Sequence, residues 1–278
     1  MKLFVCFIGL IVLGLLWIII EPQLYIVKKI NVSSKKLHED HKIVFISDIH
    51  YGAFYLGPRL KKIVFKINKL NPDLIIIGGD YIQNVRKSKF NKELLEDLFL
   101  ELSQLKPKNG IITVIGNHDY YLRENMNVLL ENIEKIGIVL LKNKTLEMKL
   151  GSEKVFIHGI DDLTEGIIDI NKLKIDKNYL NIVISHNPEF HEEYDTYFDL
   201  GLSGHTHGGQ INLFGIYAPY TGLKYGQKYI KEINFKGNSI IITTKGLGCS
   251  LLPIRFFAVP EIIELNLNST SVPIGKSN

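Results

Sequence analysis

Four short apolar runs recur along the chain, and stretches with helical periodicity separate them. The runs are KIVFISDIH (42–50), PDLIIIGGD (72–80), GIITVIGNHD (110–119) and NIVISHNP (181–188). The helical patterns cover residues 58–70, 89–105 and 122–136. Strands that alternate with helices are typical of an α/β fold built around a largely buried sheet. Two later runs, SIIITTKG (239–246) and EIIELNL (261–267), have no helical pattern between them, which predicts a second, more antiparallel sheet in the same domain.

The N-terminal segment differs from the rest of the chain. Residues 3–20 carry no charged side chain, and as a helix they would span roughly 27 Å, close to the ~30 Å hydrocarbon core of a bilayer. A cleaved signal peptide is the alternative, but the run is long and no A-x-A cleavage site precedes Glu21. We therefore expect a single-pass membrane anchor over 1–22, a juxtamembrane segment over 23–41, a catalytic domain over 42–267 and a tail over 268–278.

The charged residues suggest an orientation and exclude some partners. Lysines at positions 28, 29, 35 and 36 follow the apolar run and Lys2 alone precedes it, which predicts a domain on the cytoplasmic side. The net charge of +4 is small and scattered, so a nucleic-acid partner is not expected. Two cysteines, Cys6 and Cys249, are too few for a Cys-rich zinc finger. No feature of the sequence indicates an obligate protein partner.

Each of the four apolar runs ends in side chains of the types that commonly bind metals. They are Asp48 and His50, then Asp80, then Asn117 with His118 and Asp119, then His186. A fifth stretch, GLSGHTHGGQIN (201–212), adds His205 and His207. Residues at the carboxyl ends of strands gather in one crevice of an open α/β sheet. The set is too large for one tetrahedral ion and fits two ions that share a carboxylate.

Each of these residues also has a simpler interpretation. A single Asp after a strand is usually a helix cap or turn residue, and glycine pairs can be turns. A single loop histidine is usually a hydrogen-bonding surface residue, which we expect for His38, His41, His158 and His191. Recurrence at five strand ends favours metal ligands instead, as do the Asp-x-His and His-x-His spacings, because alternate residues of an extended segment point the same way. The glycines would let the backbone approach the site closely.

The blocks DIH, GGD, GNHD, SH and GHTH resemble, in type and order, the five blocks of the calcineurin-like metallophosphoesterase superfamily. The resemblance covers residues 42 to about 260 and implies two packed mixed β-sheets flanked by helices, a four-layer sandwich. Three longer stretches resemble segments of a narrower group within this superfamily: SGHTHGGQI, SHNPEF and KGLGCSLLPIRFFAVPEI. That group comprises membrane-anchored bacterial phosphodiesterases and UDP-2,3-diacylglucosamine pyrophosphohydrolases of lipid A synthesis. The GDxxDRG block of serine/threonine protein phosphatases is absent, because YIQNVR follows Asp80.

The resemblance implies a role for each residue. The first divalent ion would be held by Asp48, His50 and His207 and the second by Asn117, His186 and His205, with Asp80 as the bridge. The ions would lower the pKa of a water between them toward ~7 and so supply hydroxide for attack on phosphorus. Manganese is the expected metal, with iron, zinc or cobalt as alternatives.

Two neighbouring residues and two loops complete the expected site. His118 would donate a proton to the leaving oxygen, and Asp119 would orient its ring or else cap a helix. LFGIYAPYTGLKYG (213–226) and LLPIRFF (251–257) are core segments or an apolar approach to the metals, with Arg255 binding a phosphate.

The predicted function is hydrolysis of a phosphodiester or pyrophosphate bond in a phosphate-ester substrate that carries a lipid, with UDP-2,3-diacylglucosamine as the first candidate. A metal-dependent nuclease and a catalytically silent metal-binding scaffold at the membrane are the alternatives.

Overall fold

The computed structural model describes residues 2–52, 54, 57–83 and 91–269. These residues form helices and strands along the whole described chain. The α-helices in these residues are α1 (Lys2–Ile20), α2 (Gly57–Lys69), α3 (Lys92–Leu102), α4 (Asn117–Tyr120), α5 (Met126–Lys135) and α6 (Phe190–Glu193). The strands are β1 (Ile26–Ser34), β2 (His41–Ile46), β3 (Leu74–Ile77), β4 (Ile111–Thr113), β5 (Val139–Leu140), β6 (Lys144–Leu150), β7 (Glu153–Gly159), β8 (Leu180–Ile184), β9 (Leu200–Ser203), β10 (Ile233–Lys236), β11 (Ser239–Thr243) and β12 (Glu261–Ser269). The three predicted helical patterns correspond to α2, α3 and α5, except that residues 89 and 90 lie outside the described residues.

The described strands form two six-stranded mixed sheets. The first has the order β1-β12-β2-β3-β4-β5 and the second has the order β10-β11-β9-β8-β7-β6. Neighbours in the first sheet are parallel except β12 with β2, whereas β6 with β7 and β10 with β11 are antiparallel in the second. Two mixed sheets are therefore confirmed. The assignment of residues 261–267 to the second sheet was wrong, because β12 pairs between β1 and β2 in the first.

The two sheets pack face to face, and helices cover their outer faces. Along β2, Ile43 and Phe45 face the second sheet, whereas Val44 and Ile46 face α2, α3 and α5. This alternation follows from the two-residue period of a strand, so a strand buried on both faces is apolar throughout. Short helical segments cover the other face of the second sheet, where Phe190 of α6 packs near Val183. The result is the expected four-layer sandwich.

The segment after α1 is part of the sheet rather than a linker. β1 pairs in parallel with β12 from Ile26 opposite Glu261 to Ser34 opposite Ser269, although residues 23–41 were expected to lie outside the domain. Long-range pairing of this kind leaves no local signal. β12 also extends to Ser269, into the expected tail, and residues 270–278 of that tail lie outside the described residues.

Three of the lysines that suggested an orientation form ion pairs with the domain. Lys28 lies 2.8 Å from Glu232, Lys29 lies 3.7 Å from Glu264, and Lys36 lies 2.8 Å from Asp199. Their position after α1 is therefore explained by the fold itself, and the cytoplasmic orientation remains a prediction. Among the described helices, α1 is the one long and apolar enough to cross a bilayer, a test that a signal sequence or a core helix also passes.

Three of the four histidines expected at the surface are buried. His38 is exposed, but His41 in β2, His158 in β7 and His191 in α6 are not. His41 lies 2.9 Å from the Glu153 carboxylate. These histidines lie in strands and a helix rather than in loops, which explains the wrong expectation.

The buried His191 makes the fold sensitive to acid. Burial lowers the pKa of His191 from 6.5 to about 3, so the ring stays neutral in the folded chain and protonates in the unfolded chain as the pH falls below 6.5. Stability from this residue is therefore lost between pH 6.5 and pH 3, and at pH 5 the loss is about 2 kcal/mol. We expect His191→Gln to reduce the drop in unfolding free energy between pH 7 and pH 5 by that amount in urea titrations. His38→Gln is the matched control, and an unchanged drop in His191→Gln would contradict the assignment.

Candidate metal centre

The site lies where strands of both sheets end. Loops after β2 and β3 of the first sheet carry Asp48, His50 and Asp80, and Asn117 begins α4 shortly after β4. Loops after β8 and β9 of the second sheet carry His186, His205 and His207. Because β2, β3 and β4 are parallel, as are β8 and β9, the carboxyl ends of each set point the same way. The site was expected at the edge of a single sheet, but it joins the edges of two.

One group of ligand atoms surrounds His50. Its Nε2 atom lies 3.2 Å from His207 Nε2 and 3.5 Å from Asp80 Oδ2. The Oδ1 atom of Asp48 lies 3.5 Å from His207 Nε2. These side chains are buried and belong to the set expected for the first ion.

A second group surrounds His186. Its Nε2 atom lies 3.2 Å from Asn117 Oδ1, 3.3 Å from His205 Nδ1 and 3.2 Å from Asp80 Oδ2. The other ring nitrogen of His186 lies 2.7 Å from the carbonyl oxygen of Gly78. A donated Nδ1–H in that contact leaves the Nε2 lone pair directed at the second group.

Asp80 belongs to both groups through a single oxygen. Its Oδ2 atom faces His50 on one side and His186 on the other, whereas its Oδ1 atom accepts a hydrogen bond of 2.8 Å from the His118 backbone N–H. The backbone contact fixes the carboxylate and directs Oδ2 toward both groups.

The spacing of these atoms fits divalent cations. Neighbouring nitrogen ligands of a tetrahedral zinc ion are about 3.3 Å apart, since each lies about 2.0–2.1 Å from the metal. The two Nε2 atoms of His50 and His207 are 3.2 Å apart, and the facing nitrogens of His186 and His205 are 3.3 Å apart. An N–H···N hydrogen bond between two imidazoles has a similar length, but both histidine pairs also lie beside the Asp80 carboxylate, so the residues present fit a metal.

Local electrostatics favour the protonation states that metal ligands need at Asp80 and at three of the four histidines. Burial lowers the pKa of His50 and of His207 well below the ordinary value, and it lowers the pKa of His205 to about 4. The pKa of Asp80 is well below its usual range, because the nearby histidines, His186 foremost, outweigh the opposing effect of burial. Neutral imidazoles and an ionised carboxylate are the forms that bind cations. His186 is the exception: although burial opposes it, the Asp80 and Asp48 carboxylates raise the pKa of His186 well above 6.5, so a cation there would displace a proton from this ring.

The backbone at the site is held in an uncommon conformation. Five of the seven expected ligands have positive φ, a region that costs an L-residue roughly 1–2 kcal/mol. They are Asp48 (52°), His50 (45°), Asp80 (55°), His205 (68°) and His207 (49°). Glycines make room for them, since a Cβ on Gly116 would collide with the Asp80 carboxylate and one on Gly204 with that of Asp48. This explains the glycine-rich motifs: they allow strained ligand loops to pack closely.

His118 lies beside the two groups and is partly exposed. Its ring is 4.7 Å from the His50 ring, centroid to centroid, in an edge-to-face arrangement. A ring nitrogen of His118 also comes close enough to His50 and Asp80 to form a third set of ligand atoms within 4.8 Å of one another. It therefore lies at the edge of the two groups, on a side that solvent reaches.

Asp119 does not orient the His118 ring. Its buried carboxylate accepts hydrogen bonds from the backbone N–H groups of Asp80 (2.9 Å), Tyr81 (2.8 Å) and Gly116 (3.0 Å). It thus caps α4 and fixes the loop that carries Asp80, which is the alternative interpretation of this residue. Burial, followed by the Asp80 charge, raises the pKa of Asp119 to about 7, against the backbone N–H groups, which favour the ionised form.

Arg255 does not face the cleft. Its side chain is 0% exposed, and its guanidinium donates to the carbonyl oxygens of Lys245 (2.7 Å), Gly248 and Ala258. One terminal nitrogen also lies 3.2 Å from His207 Nδ1, on the side of the ring away from His50. Phosphate binding by Arg255 was therefore a wrong expectation, because the side chain is fully buried and loop carbonyls accept hydrogen bonds from both of its terminal nitrogens. Arg255 instead holds the loop of His207 from behind, since a terminal nitrogen also donates to the His207 backbone carbonyl oxygen at 3.5 Å.

Sequence reasoning also missed the loop after β11. Gly246 and Gly248 pack so closely against Asp48 and His50 that a Cβ on either would collide with these ligands. The glycine spacing in KGLGC was the available signal. In the sequence this stretch indicates only a family resemblance, and its contact with the site becomes visible in the fold.

A cleft of about 320 Å³ leads away from the ligands. Its lining combines His205 and His207 with Ile211, Tyr220 and Leu251. Residues from both expected apolar loops therefore line the same cleft as two of the histidines.

This chain is similar to one family model and to several bacterial proteins. The calcineurin-like phosphoesterase family model matches residues 41–209. The uncharacterized metallophosphoesterase YkuE of Bacillus subtilis is 32% identical over 235 residues, which cover 83% of this chain and 80% of that protein. The phosphodiesterase YaeI of Escherichia coli is 29% identical over 228 residues, with 81% and 82% covered. The uncharacterized metallophosphoesterase Cj0846 of Campylobacter jejuni is 31% identical, and this chain covers 63% of its length. The chain therefore belongs to the calcineurin-like phosphoesterase family of metal-dependent hydrolases.

Proposed function

We propose that the chain is a dinuclear metal-dependent phosphoesterase that hydrolyses a phosphodiester or pyrophosphate bond. The observation that carries this proposal is the position of Asp80 Oδ2, 3.5 Å from His50 Nε2 and 3.2 Å from His186 Nε2. One carboxylate oxygen facing two ligand groups suits two cations that share a bridge. The name of the relative YaeI, a phosphodiesterase, supports the same reaction class.

The chain would hold each cation with its own set of side chains. Asp48, His50 and His207 form one set, Asn117, His186 and His205 form the other, and Asp80 is shared. Two divalent cations, when bound, would supply an activated water for attack on phosphorus and would neutralise charge on the phosphoryl oxygens. Nitrogen and oxygen donors without a thiolate suit manganese, with iron, zinc or cobalt as alternatives.

His118 is the proton donor in this proposal. Its ring lies next to His50 and is partly exposed, so it can approach the leaving oxygen of a substrate. Asp119 acts through the backbone by holding the loop that carries Asp80, and Arg255 acts by supporting His207.

The substrate we propose carries a lipid, and UDP-2,3-diacylglucosamine is the first candidate. Apolar side chains of Ile211, Tyr220 and Leu251 line the cleft next to His205 and His207. We propose that α1 anchors the chain in a membrane, with the domain on the cytoplasmic side, so that a lipid-linked ester reaches the cleft without leaving the bilayer.

Product analysis tests the proposed substrate class. The full chain in detergent, loaded with Mn²⁺, would be incubated with nucleotide-linked lipids, phospholipids and short oligonucleotides, and products would be identified by mass spectrometry. We expect cleavage of a lipid-bearing substrate, with release of UMP and a lipid sugar phosphate from UDP-2,3-diacylglucosamine. Asp80→Asn is the control for contaminating hydrolases. Preference for oligonucleotides would overturn the proposal in favour of a nuclease.

A further inference from the structure

Two loops beside the cleft expose many large apolar side chains. We call residues 211–220 and 251–257 the apolar rim. Within it, Phe214 is 72% exposed, Ile216 is 75% exposed and Tyr220 is 77% exposed. An apolar surface of several neighbouring side chains on a soluble domain marks a contact with a partner or a membrane.

The two loops of the apolar rim form one continuous surface. The backbone N–H of Asn212 donates to the carbonyl oxygen of Phe256 at 2.8 Å, and the N–H of Phe256 donates to Gln210 at 3.0 Å. The rings of Phe214 and Phe257 are 4.7 Å apart, centroid to centroid. The rim therefore presents its apolar side chains together.

The apolar rim also lacks charge. No Lys, Arg, Asp or Glu occurs between residues 208 and 223, and Arg255 is the only one between 246 and 260. Because Arg255 is buried, it does not place its charge on the rim surface. Transfer of this surface to an apolar phase would not require dehydration of a charged side chain.

The end of α1 is attached directly to the apolar rim. The backbone N–H of Arg255 donates to the carbonyl oxygen of Ile18 at 3.0 Å. The buried Glu21 carboxylate accepts hydrogen bonds from the backbone N–H groups of Phe257 (3.0 Å) and Ala258 (2.6 Å). These contacts hold the last turn of α1, and Glu21 directly after it, beside the rim, so the two cannot separate without breaking hydrogen bonds to a buried side chain.

A bilayer is the occupant that accounts for both surfaces. The apolar side chains of α1, such as Phe7 and Leu13, are exposed in the described structure, and its helix continues into the contacts with the rim. If α1 enters a bilayer, its attached end places the rim at the level where aromatic and apolar side chains enter the lipid interface. A protein partner would have to cover the rim and a long helix at once.

We propose that the apolar rim is a second membrane contact, which docks the domain on the bilayer and opens the metal cleft toward the lipid surface. Ile211, Tyr220 and Leu251 of the rim also line the cleft with His205 and His207, so a lipid would pass from the rim to the ligands. This inference rests on the proposed anchoring of α1, but not on the proposed reaction.

Tryptophan fluorescence in brominated lipids tests the docking. Trp17 is the only tryptophan of the chain and lies in α1, so it reports the anchor. The full chain with Trp17→Phe and Phe214→Trp would report the rim. The full chain with Trp17→Phe and Leu100→Trp is the matched control, because Leu100 is 64% exposed on α3, at the end that leads to the amino end of β4.

Each chain would be reconstituted in phosphatidylcholine–phosphatidylglycerol vesicles with bromine at a shallow or a deep position of the acyl chain. We expect the tryptophan at position 214 to lose most of its fluorescence with shallow bromine and less with deep bromine, because interfacial side chains enter only about 5–10 Å. The tryptophan at position 100 should keep its fluorescence in both. A native-like circular dichroism spectrum of each variant checks that the chain is folded.

Two results would overturn the inference, and they are distinguishable. If Trp17 of the native chain is quenched while position 214 behaves like position 100, the rim does not dock and the anchor stands. If Trp17 itself is not quenched, both the anchor and the docking are wrong. Neither result depends on hydrolysis, so failure of the proposed reaction would be seen separately.

Discussion

Asp80→Asn is expected to lower the hydrolytic activity by more than ~100-fold. Removal of a residue that only supports a metal ligand costs up to about 100-fold, and loss of a ligand shared by two cations should cost more. An asparagine could still accept the His118 backbone hydrogen bond through its oxygen, as Oδ1 does now. Its amide nitrogen would then occupy the position of Oδ2, between His50 and His186. An amide nitrogen has no lone pair for a cation and would direct its hydrogens at both metals.

The measurement combines metal content with turnover. Purified full chain in detergent would be analysed for bound metal, and hydrolysis of bis(p-nitrophenyl) phosphate would be followed in parallel. Asp97→Asn makes the same chemical change on the exposed face of α3 and should behave like the native chain. An Asp80→Asn chain with two ions and near-native turnover would refute the bridging role.

His118→Asn should lower turnover by roughly 10²–10⁴-fold, the usual contribution of a general acid, and leave the metals bound. The ring is partly exposed beside His50, and its backbone N–H, which asparagine keeps, is what contacts Asp80. The loss should shrink for substrates with good leaving groups, because these depart with little protonation.

A series of aryl phosphodiesters with graded leaving groups measures this dependence, with His38→Asn at an exposed position as the control. An equal loss across the series would show that His118 positions the substrate rather than protonating it. Loss of metal would instead place His118 among the ligands, which its distance from His50 and Asp80 permits.

The strands and the convergence of the ligands could be predicted because both follow from short-range patterns. A buried strand is apolar at every position, and the polar residues that end it lie on the same edge as those of its parallel neighbours. His50, Asp80 and His186 therefore lie together as expected. Their roles as ligands remain predictions.

What could not be predicted depends on contacts between distant parts of the chain. Nothing near Arg255 indicates that carbonyl groups of Lys245 and Gly248 surround its guanidinium. The three backbone N–H groups that occupy Asp119 come together only when the loops after β3 and β4 pack. The insertion of β12 between β1 and β2 joins residues more than 200 positions apart in the chain.

The division of the ligands between two sheets couples the mechanics of the core to the chemistry of the site. A cation held by Asp48 and His207, or by Asn117 and His186, would be a cross-link between the two halves of the sandwich. Metal–ligand distances fall within about 0.2 Å of their standard values, so a slide of one sheet past the other would disturb coordination. The side chains packed between the sheets, such as Phe45 and Ile184, therefore keep the two sheets in a fixed relative position and so keep the candidate ligands at the sheet edges at fixed distances.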